Sequence, residues 1–515
     1  MKPIRLMAGF FTVGIWTLLS RILGFVRDIL IAAFLGTGVV AEAFLIAFSL
    51  PNLFRRFFAE GAFNMAFIPM FAKKLETDDA PQRFAQDAFV GMAFLLSIFT
   101  ALGVIFMPAL VTLMASGFRG DERFDLAVRY GRIAFPYILF ISLAALLSGV
   151  LNATGRFAAA AAAPVLLNVV FVAAILWGAS TSGEAAAIGT KLAWAVPVAG
   201  IAQLALVWWA AKRAGYALRL GLPRMTPELK RLAIIAAPAA LAGGVVQINL
   251  LVGRQVASFF DGAVAWLSYA DRLYQLPLGV VGIAIGVVLL PDLARRLGAD
   301  DAAGGQDAFN RAAEISLALT VPAAVALLVI PAPLVSVLFE RGAFSAADTQ
   351  ATALAVAVYG LGLPAFVLQK ALQPLFFARE DTKRPFKYAL VAMVLNLVIA
   401  VGLSPVIGYI AAAVGTTLTG WAMVFLLWRG SRGMGQASQI DERFQKRIGR
   451  IIIASLIMGV ILWGFAAVLS PYLAAATLRY AALALLVATG LLSYFAIGQA
   501  IGAFKLNEIR KALRR

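Results

Sequence analysis

Ile68-Pro-Met-Phe-Ala-Lys-Lys-Leu75 returns later in the chain as Leu290-Pro-Asp-Leu-Ala-Arg-Arg-Leu297. A matching triplet precedes each copy at the same spacing, Ala43-Phe44-Leu45 and Ala265-Trp266-Leu267, so the offset is 222 throughout. A second correspondence follows: Pro136 lies 32 residues before Asn168, and Pro364 lies 32 before Asn396. Apolar segments look alike by composition, but proline, paired basic residues and asparagine at fixed spacing do not recur for that reason. The chain reads as a duplication.

What is duplicated follows from composition. Of 515 residues, 62% are hydrophobic and 14% charged, where soluble domains run near ~50% and ~25%. A soluble core cannot hide this much apolar surface, so a bilayer must be part of the solvent. Apolar windows separated by turn signals predict an all-α polytopic membrane protein of fourteen spans. These lie near 8–35, 41–71, 84–115, 129–152, 160–178, 188–211, 232–259, 263–292, 311–338, 347–377, 386–404, 408–428, 449–469 and 474–502. Lys2 and Arg5 before the run Leu6–Leu19 imitate a secretion signal. No small-x-small cleavage site follows, and the pattern resumes beyond Arg21 to Leu35, so this segment reads as a retained first span.

Basic residues orient the spans. With the N-terminus in the cytoplasm, about 30 of the 44 lysines and arginines fall in cytoplasmic segments and about 7 in periplasmic ones. The cytoplasmic groups include Lys73, Lys74 and Arg83, Lys212 through Arg231, Arg379 through Lys387, Arg429 through Arg450, and Lys505 to the end. A miscounted span would invert this alternation downstream, and it never inverts. The net charge of +18 is then mostly topology and attraction to anionic membrane lipids, and nucleic acid is not an expected partner. The localisation expected is the bacterial inner membrane, with both termini cytoplasmic. Because the repeat offset covers six spans, an even number, the two copies share orientation and form a parallel repeat. The domain reading is a lobe over 1–225, a pseudo-symmetric lobe over 226–430 facing one central cavity with it, and two appended spans with a basic tail over 431–515.

Several charges sit where a bilayer penalises them. The first span carries Ser20-Arg21-Ile-Leu-Gly24-Phe-Val-Arg27-Asp28, and the second Pro51-Asn52-Leu-Phe-Arg55-Arg56-Phe-Phe-Ala-Glu60-Gly61. The eighth carries Tyr269-Ala-Asp271-Arg272-Leu-Tyr274-Gln275. Four such arginines facing lipid would cost on the order of 10–14 kcal/mol, so they line a wet cavity or meet partners. Asp28 and Asp271 each adjoin an arginine, and Arg56 reaches Glu60 at the i, i+4 spacing. Structural ion pairs holding the lobes together are one reading. The cations outnumber the acids, however, and surplus guanidinium is what an anionic ligand rich in oxygens requires, because its fork grips phosphate bidentately. Arg254 ranks lower, since it can snorkel from the end of the seventh span. Glu42, near the periplasmic surface, reads as a gate or a solvated residue.

Cysteine and histidine are both absent, which excludes disulfides, thiol nucleophiles, haem ligation, the usual zinc sites and histidine acid–base chemistry. No paired carboxylates, Ser-Lys dyad or metal cluster points to bond-breaking chemistry, so neither an enzyme nor a cofactor is expected.

At these residues the sequence resembles a known family. Ser20-Arg21-x-x-Gly24-Phe-x-Arg27-Asp28, then Leu50-Pro-Asn-Leu-x-Arg55-Arg-x-Phe-Ala-Glu60-Gly-Ala-Phe63, then Tyr269-Ala-Asp-Arg-Leu273, resemble the MurJ (MviN) family, with further agreement at Phe135-Pro-Tyr-Ile-Leu and Leu151-Asn. The resemblance implies a lipid II flippase of the multidrug/oligosaccharidyl-lipid/polysaccharide exporter superfamily. It would move undecaprenyl-pyrophosphate-linked disaccharide-pentapeptide between leaflets by alternating access, for cell-wall peptidoglycan synthesis, driven in part by membrane potential or a coupling cation. By the same resemblance, Arg21, Arg27, Arg55 and Arg272 are the cavity arginines that bind substrate, with Asn52 beside them. Asp28, Glu42, Glu60 and Asp271 are its acidic cavity positions. Ser49 stands where some relatives place a lysine. The rivals are a drug exporter or another polyprenyl-glycan flippase of the superfamily, and a scaffold for wall synthesis that transports nothing. A cation exporter would favour acidic cavity residues, and a scaffold has no use for buried arginines.

Overall fold

The computed structural model describes residues 6–55, 63–77, 79–219 and 221–504. Among them the chain is all α-helical. It forms α1 (Leu6–Leu35), α2 (Val39–Arg55), α3 (Phe63–Thr77), α4 (Pro81–Ile105), α5 (Met107–Met114), α6 (Glu122–Ala134), α7 (Tyr137–Ala153), α8 (Ala158–Thr181) and α9 (Ala185–Arg213). Then follow α10 (Pro227–Ala257), α11 (Ala263–Gly298), α12 (Ala302–Val329), α13 (Pro331–Phe339), α14 (Ala346–Phe377), α15 (Lys383–Ile407), α16 (Ile410–Ser431), α17 (Glu442–Ala474) and α18 (Arg479–Ala500). Ten helical segments are long and apolar enough to cross a membrane by length and composition. Among the described residues, pairs of consecutive helices occupy the places of three predicted spans: α4 and α5, α6 and α7, α12 and α13. Pro108, Pro136 and Pro331 stand at or beside these breaks, where a ring without an N–H cannot continue the ladder of the helix before it.

Lipid-facing rows explain the apolar excess. On α15, Val391, Val394, Val398 and Val401 recur at helical spacing and are all exposed. Such a stripe would aggregate in water and is at home in hydrocarbon.

The polypeptide divides into two compact units. Unit 1 comprises Met1–Ala265 together with Arg341–Phe344. One core gathers Phe67 and Phe71 of α3, Phe84, Phe89 and Leu96 of α4, Leu146, Leu147 and Val150 of α7, and Val207 of α9. It also takes in α10, whose N-terminus is capped by Thr226 accepting from the Leu229 amide at 3.2 Å.

Unit 2 comprises Trp266–Glu340 and Ser345–Arg515. One core joins α12, α17 and α18 through Ile451, Met458, Leu462, Leu486 and Tyr494, whose hydroxyl donates to the Ala318 carbonyl at 2.6 Å. A second joins α11, α14 and α16 through Leu293, Leu375, Phe376, Met423 and Leu427. A charged staple ties α17 to α12: buried Glu314 meets Arg311, Arg443 and Arg447, and Arg311 also reaches Asp441, the N-cap of α17.

Candidate functional site

Charged clusters in unit 1 gather most of the predicted site residues that are described there. The first lies along α1. Arg27 is 6% exposed and Asp28 8%, and their side chains join through Arg27 Nη2 and Asp28 Oδ1 at 2.7 Å. Arg27 Nη1 donates to Asn168 Oδ1 of α8 at 3.0 Å, and its guanidinium lies over the Phe171 ring at 5.6 Å. Asn168 Nδ2 in turn donates to the Ser20 carbonyl at 2.9 Å. A guanidinium buried in an apolar helix bundle needs such neutralisation and fixed donors to tolerate desolvation, and Asn168 supplies the anchor that α1 alone lacks. Arg21, almost two turns earlier, is exposed. Because an exposed guanidinium midway along an apolar span is costly in lipid, its surroundings must be wet.

Arg55, at the end of α2, lines a cavity of about 170 Å3 with Ser148 and Asn152 of α7, Pro164 of α8 and Gln203 of α9. Gln203 is held there by Tyr137, whose hydroxyl donates to its Oε1 at 3.2 Å, and by its own bond to the Ala163 carbonyl at 2.9 Å. Asn52 spends its amide on the Phe48 carbonyl one turn back, at 2.9 Å. Arg56 and Glu60 lie outside the described residues.

The second cluster closes the turn end of the unit. Glu42, 1% exposed, accepts from Arg123 Nη1 at 3.0 Å and from the Val264 amide at 3.0 Å. Arg123 also meets Asp121 and, at 2.8 Å, Asp261, and it lies over the Phe118 ring at 4.7 Å. Asp121 caps α6 by accepting from the Arg123 amide at 3.1 Å. Burial raises the Asp121 carboxyl, but hydrogen bonds from the Arg123 amide and guanidinium outweigh it and hold the group below its ordinary value. Beside this cluster, the Ala343 amide donates to the Ala33 carbonyl at 2.8 Å. Gly36 and Gly342 face this contact in the left-handed region, with φ of 60° and 57°. A Cβ on Gly342 would stand 2.2 Å from the Ala33 oxygen, and one on Gly36 2.4 Å from the Ala343 oxygen. The α1–α2 turn is thus latched both to the α10–α11 turn and to the 341–344 segment.

Glu42 and Val264 are 222 positions apart, the offset of the sequence repeat.

In unit 2, Asp271 accepts from Gln275 one turn on, and Arg272 is exposed. Arg254 of unit 1 is half-buried near the end of α10. Sequence reasoning missed Arg123 and the site role of Asn168. Arg123 precedes the predicted fourth span and reads as a loop charge. Asn168 appears only as a repeat marker, although a lone amide in an apolar span was itself a signal.

Residues 31–483 match the family model described as Lipid II flippase MurJ. A probable lipid II flippase MurJ of Rhizobium meliloti (strain 1021) is 44% identical, covering 99% of this chain and 96% of its own. The lipid II flippase MurJ of Burkholderia cenocepacia is 35% identical, covering 85% and 87%. Among solved structures, a lipid II flippase MurJ in an inward closed conformation aligns with a TM-score of 0.78 at 22% identity over 98% of this chain and 99% of its own. An inward-facing multidrug transporter of the MATE family aligns with a TM-score of 0.67 at 17% identity, covering 81% and 95%.

Proposed function

Because the chain belongs to the MurJ family of lipid II flippases, we propose that it carries lipid II from the cytoplasmic to the periplasmic leaflet of the inner membrane. The observation that carries the reading is the charge balance of α1. Arg21 and Arg27 share that helix with one acid, Asp28, and Arg27 is held rigidly by Asp28 and Asn168. A diphosphate cannot cross hydrocarbon unaided, and pre-oriented guanidiniums offer it a polar path in which each fork matches two phosphate oxygens. Arg21, Arg27, Arg55 and Arg272 bind the diphosphate, with Asn52 nearby, while the polyprenyl tail stays in the bilayer. Asp28, Asp271, Arg254 and the Arg56–Glu60 pair tune that charge. MATE transporters share the fold, but an arginine surplus disfavours cationic cargo.

Transport is by alternating access, residues 1–225 and 226–430 acting as the two lobes and 431–515 as an appendage. Glu42 and Arg123 form the periplasmic latch: closed, it bars release; opened, it frees the headgroup. Membrane potential suffices as a bias, at ~2.3 kcal/mol per unit charge per 100 mV. No covalent bond changes, so no catalytic residue is assigned. Depleting the protein while following lipid II in each leaflet tests the reading. Accumulation in the cytoplasmic leaflet is expected, and an unchanged distribution with the protein gone would sink it.

A further inference from the structure

A cavity of about 800 Å3 opens between the first half of α1, the α7–α8 turn and the end of α9, within the ~300–1,000 Å3 that small-molecule sites span. Its walls are apolar, with Trp16, Val165, Leu166 and Leu206 among them, and Arg156, Trp209 and Arg213 complete the lining. Among the described residues, no acidic side chain lines it. Both guanidiniums are exposed, and neither has an ion-pair partner among the described residues. The Arg213 guanidinium stacks 3.9 Å from the centre of the Trp209 ring, which holds it at the mouth while leaving its N–H groups to face a ligand. On the predicted topology this mouth lies at the cytoplasmic surface.

We infer that this groove is a binding site for one anionic glycerophospholipid of the cytoplasmic leaflet. An apolar trough flanked by indoles suits an acyl chain at the depth where tryptophan partitions. Two arginines without a neighbouring carboxylate suit a phosphodiester of net negative charge. A zwitterionic headgroup would bring an ammonium that finds no acceptor carboxylate in the lining. The occupant is a resident lipid rather than cargo, because both guanidiniums stand at helix ends, where a bound headgroup remains in its own leaflet. Its position matters mechanically. Leu166 in the groove wall is two residues from Asn168, which joins α8 to Ser20 and Arg27, so a seated lipid braces α1 against α8 beside the arginine cluster.

The test is native mass spectrometry of the full chain in neutral detergent, with phosphatidylglycerol or phosphatidylcholine of matched acyl chains. One phosphatidylglycerol should be retained with about 25-fold preference, about 5-fold for each arginine. R156A/R213A should abolish the preference, and R156K/R213K should keep most of it. Ala162→Trp, placed in the groove wall, should expel either lipid. Equal retention of the two lipids, or an unchanged preference in R156A/R213A, overturns the proposal. So does displacement of the bound lipid by an equal concentration of a polyprenyl diphosphate, which would make the groove a cargo route.

Discussion

At the turn end of unit 1, one guanidinium, that of Arg123, serves three carboxylates, Glu42, Asp121 and Asp261. Midway along α1 the balance reverses, and two arginines share a helix with Asp28 alone. Both places bury charge in a protein that is largely hydrocarbon, yet they solve the problem differently. The Arg123 cluster is self-sufficient: its cation is oversupplied with acceptors, so it gains nothing from a ligand. The α1 cluster keeps positive charge in excess, so an anion completes it. On the proposed function, the oversupplied cation serves the joint and the helix with surplus cation serves the cargo.

Four expected outcomes test this contrast, the largest first. Arg27→Ala removes the guanidinium that joins Asp28 to Asn168 and, on the proposed function, a cargo contact, so complementation of a depleted strain should fail at normal membrane abundance. Arg27→Lys should rescue in part, because a point charge keeps the pair but loses the fork. Full complementation by the alanine variant would take Arg27 out of the cargo site.

Glu42→Ala removes one of the three carboxylates that meet Arg123 and the acceptor of the Val264 amide, a loss of about 1–3 kcal/mol for a buried donor left without its acceptor. Hydrogen exchange at the Val264 amide, which Glu42 accepts, should accelerate on the order of 100-fold. Unchanged protection would mean the latch does not hold the turn. Gly342→Val puts a branched side chain at a left-handed φ against the Ala33 carbonyl, a strain of about 1–3 kcal/mol. A cysteine at Thr37 should then react about tenfold faster with an impermeant thiol reagent, while binding of cargo at α1 stays intact.

The smallest effect is one of pH. The folded Asp121 carboxyl lies below its ordinary value, so its contribution to the latch is complete above the unfolded value near ~3.9 and is lost as pH falls through the folded one. Exchange at Val264 should rise a few-fold in that window, and Asp121→Asn should remove the dependence, as suits a partly exposed pair. Equal acid sensitivity in the variant would place the titrating group elsewhere.

The arginines of α1 and α2 were legible because an ionised side chain in a run of apolar ones has no structural excuse. Their partners were less so. Asn168 is 141 residues from Arg27, and nothing local marks which face of α8 turns toward α1. Arg123 sits among Arg119, Asp121, Glu122 and Asp125, a composition that reads equally well as a solvated loop. The breaks within three predicted spans escaped hydropathy because a proline kink leaves the apolar average of a window untouched.

Composition, charge alternation and the 222-residue repeat by themselves determined a duplicated, multi-pass helical membrane protein with cationic spans, since each is a property that averages over many residues or recurs at fixed spacing. Only the tertiary structure decided that Glu42 is buried against Arg123 and the Val264 amide, that Arg27 is anchored on Asn168, and that α1, α8 and α9 enclose a groove with arginines at its mouth. Helix spacing says which residues share a face. Which faces meet depends on long-range packing and on the pairing each buried charge demands, and those are settled only when the helices come together.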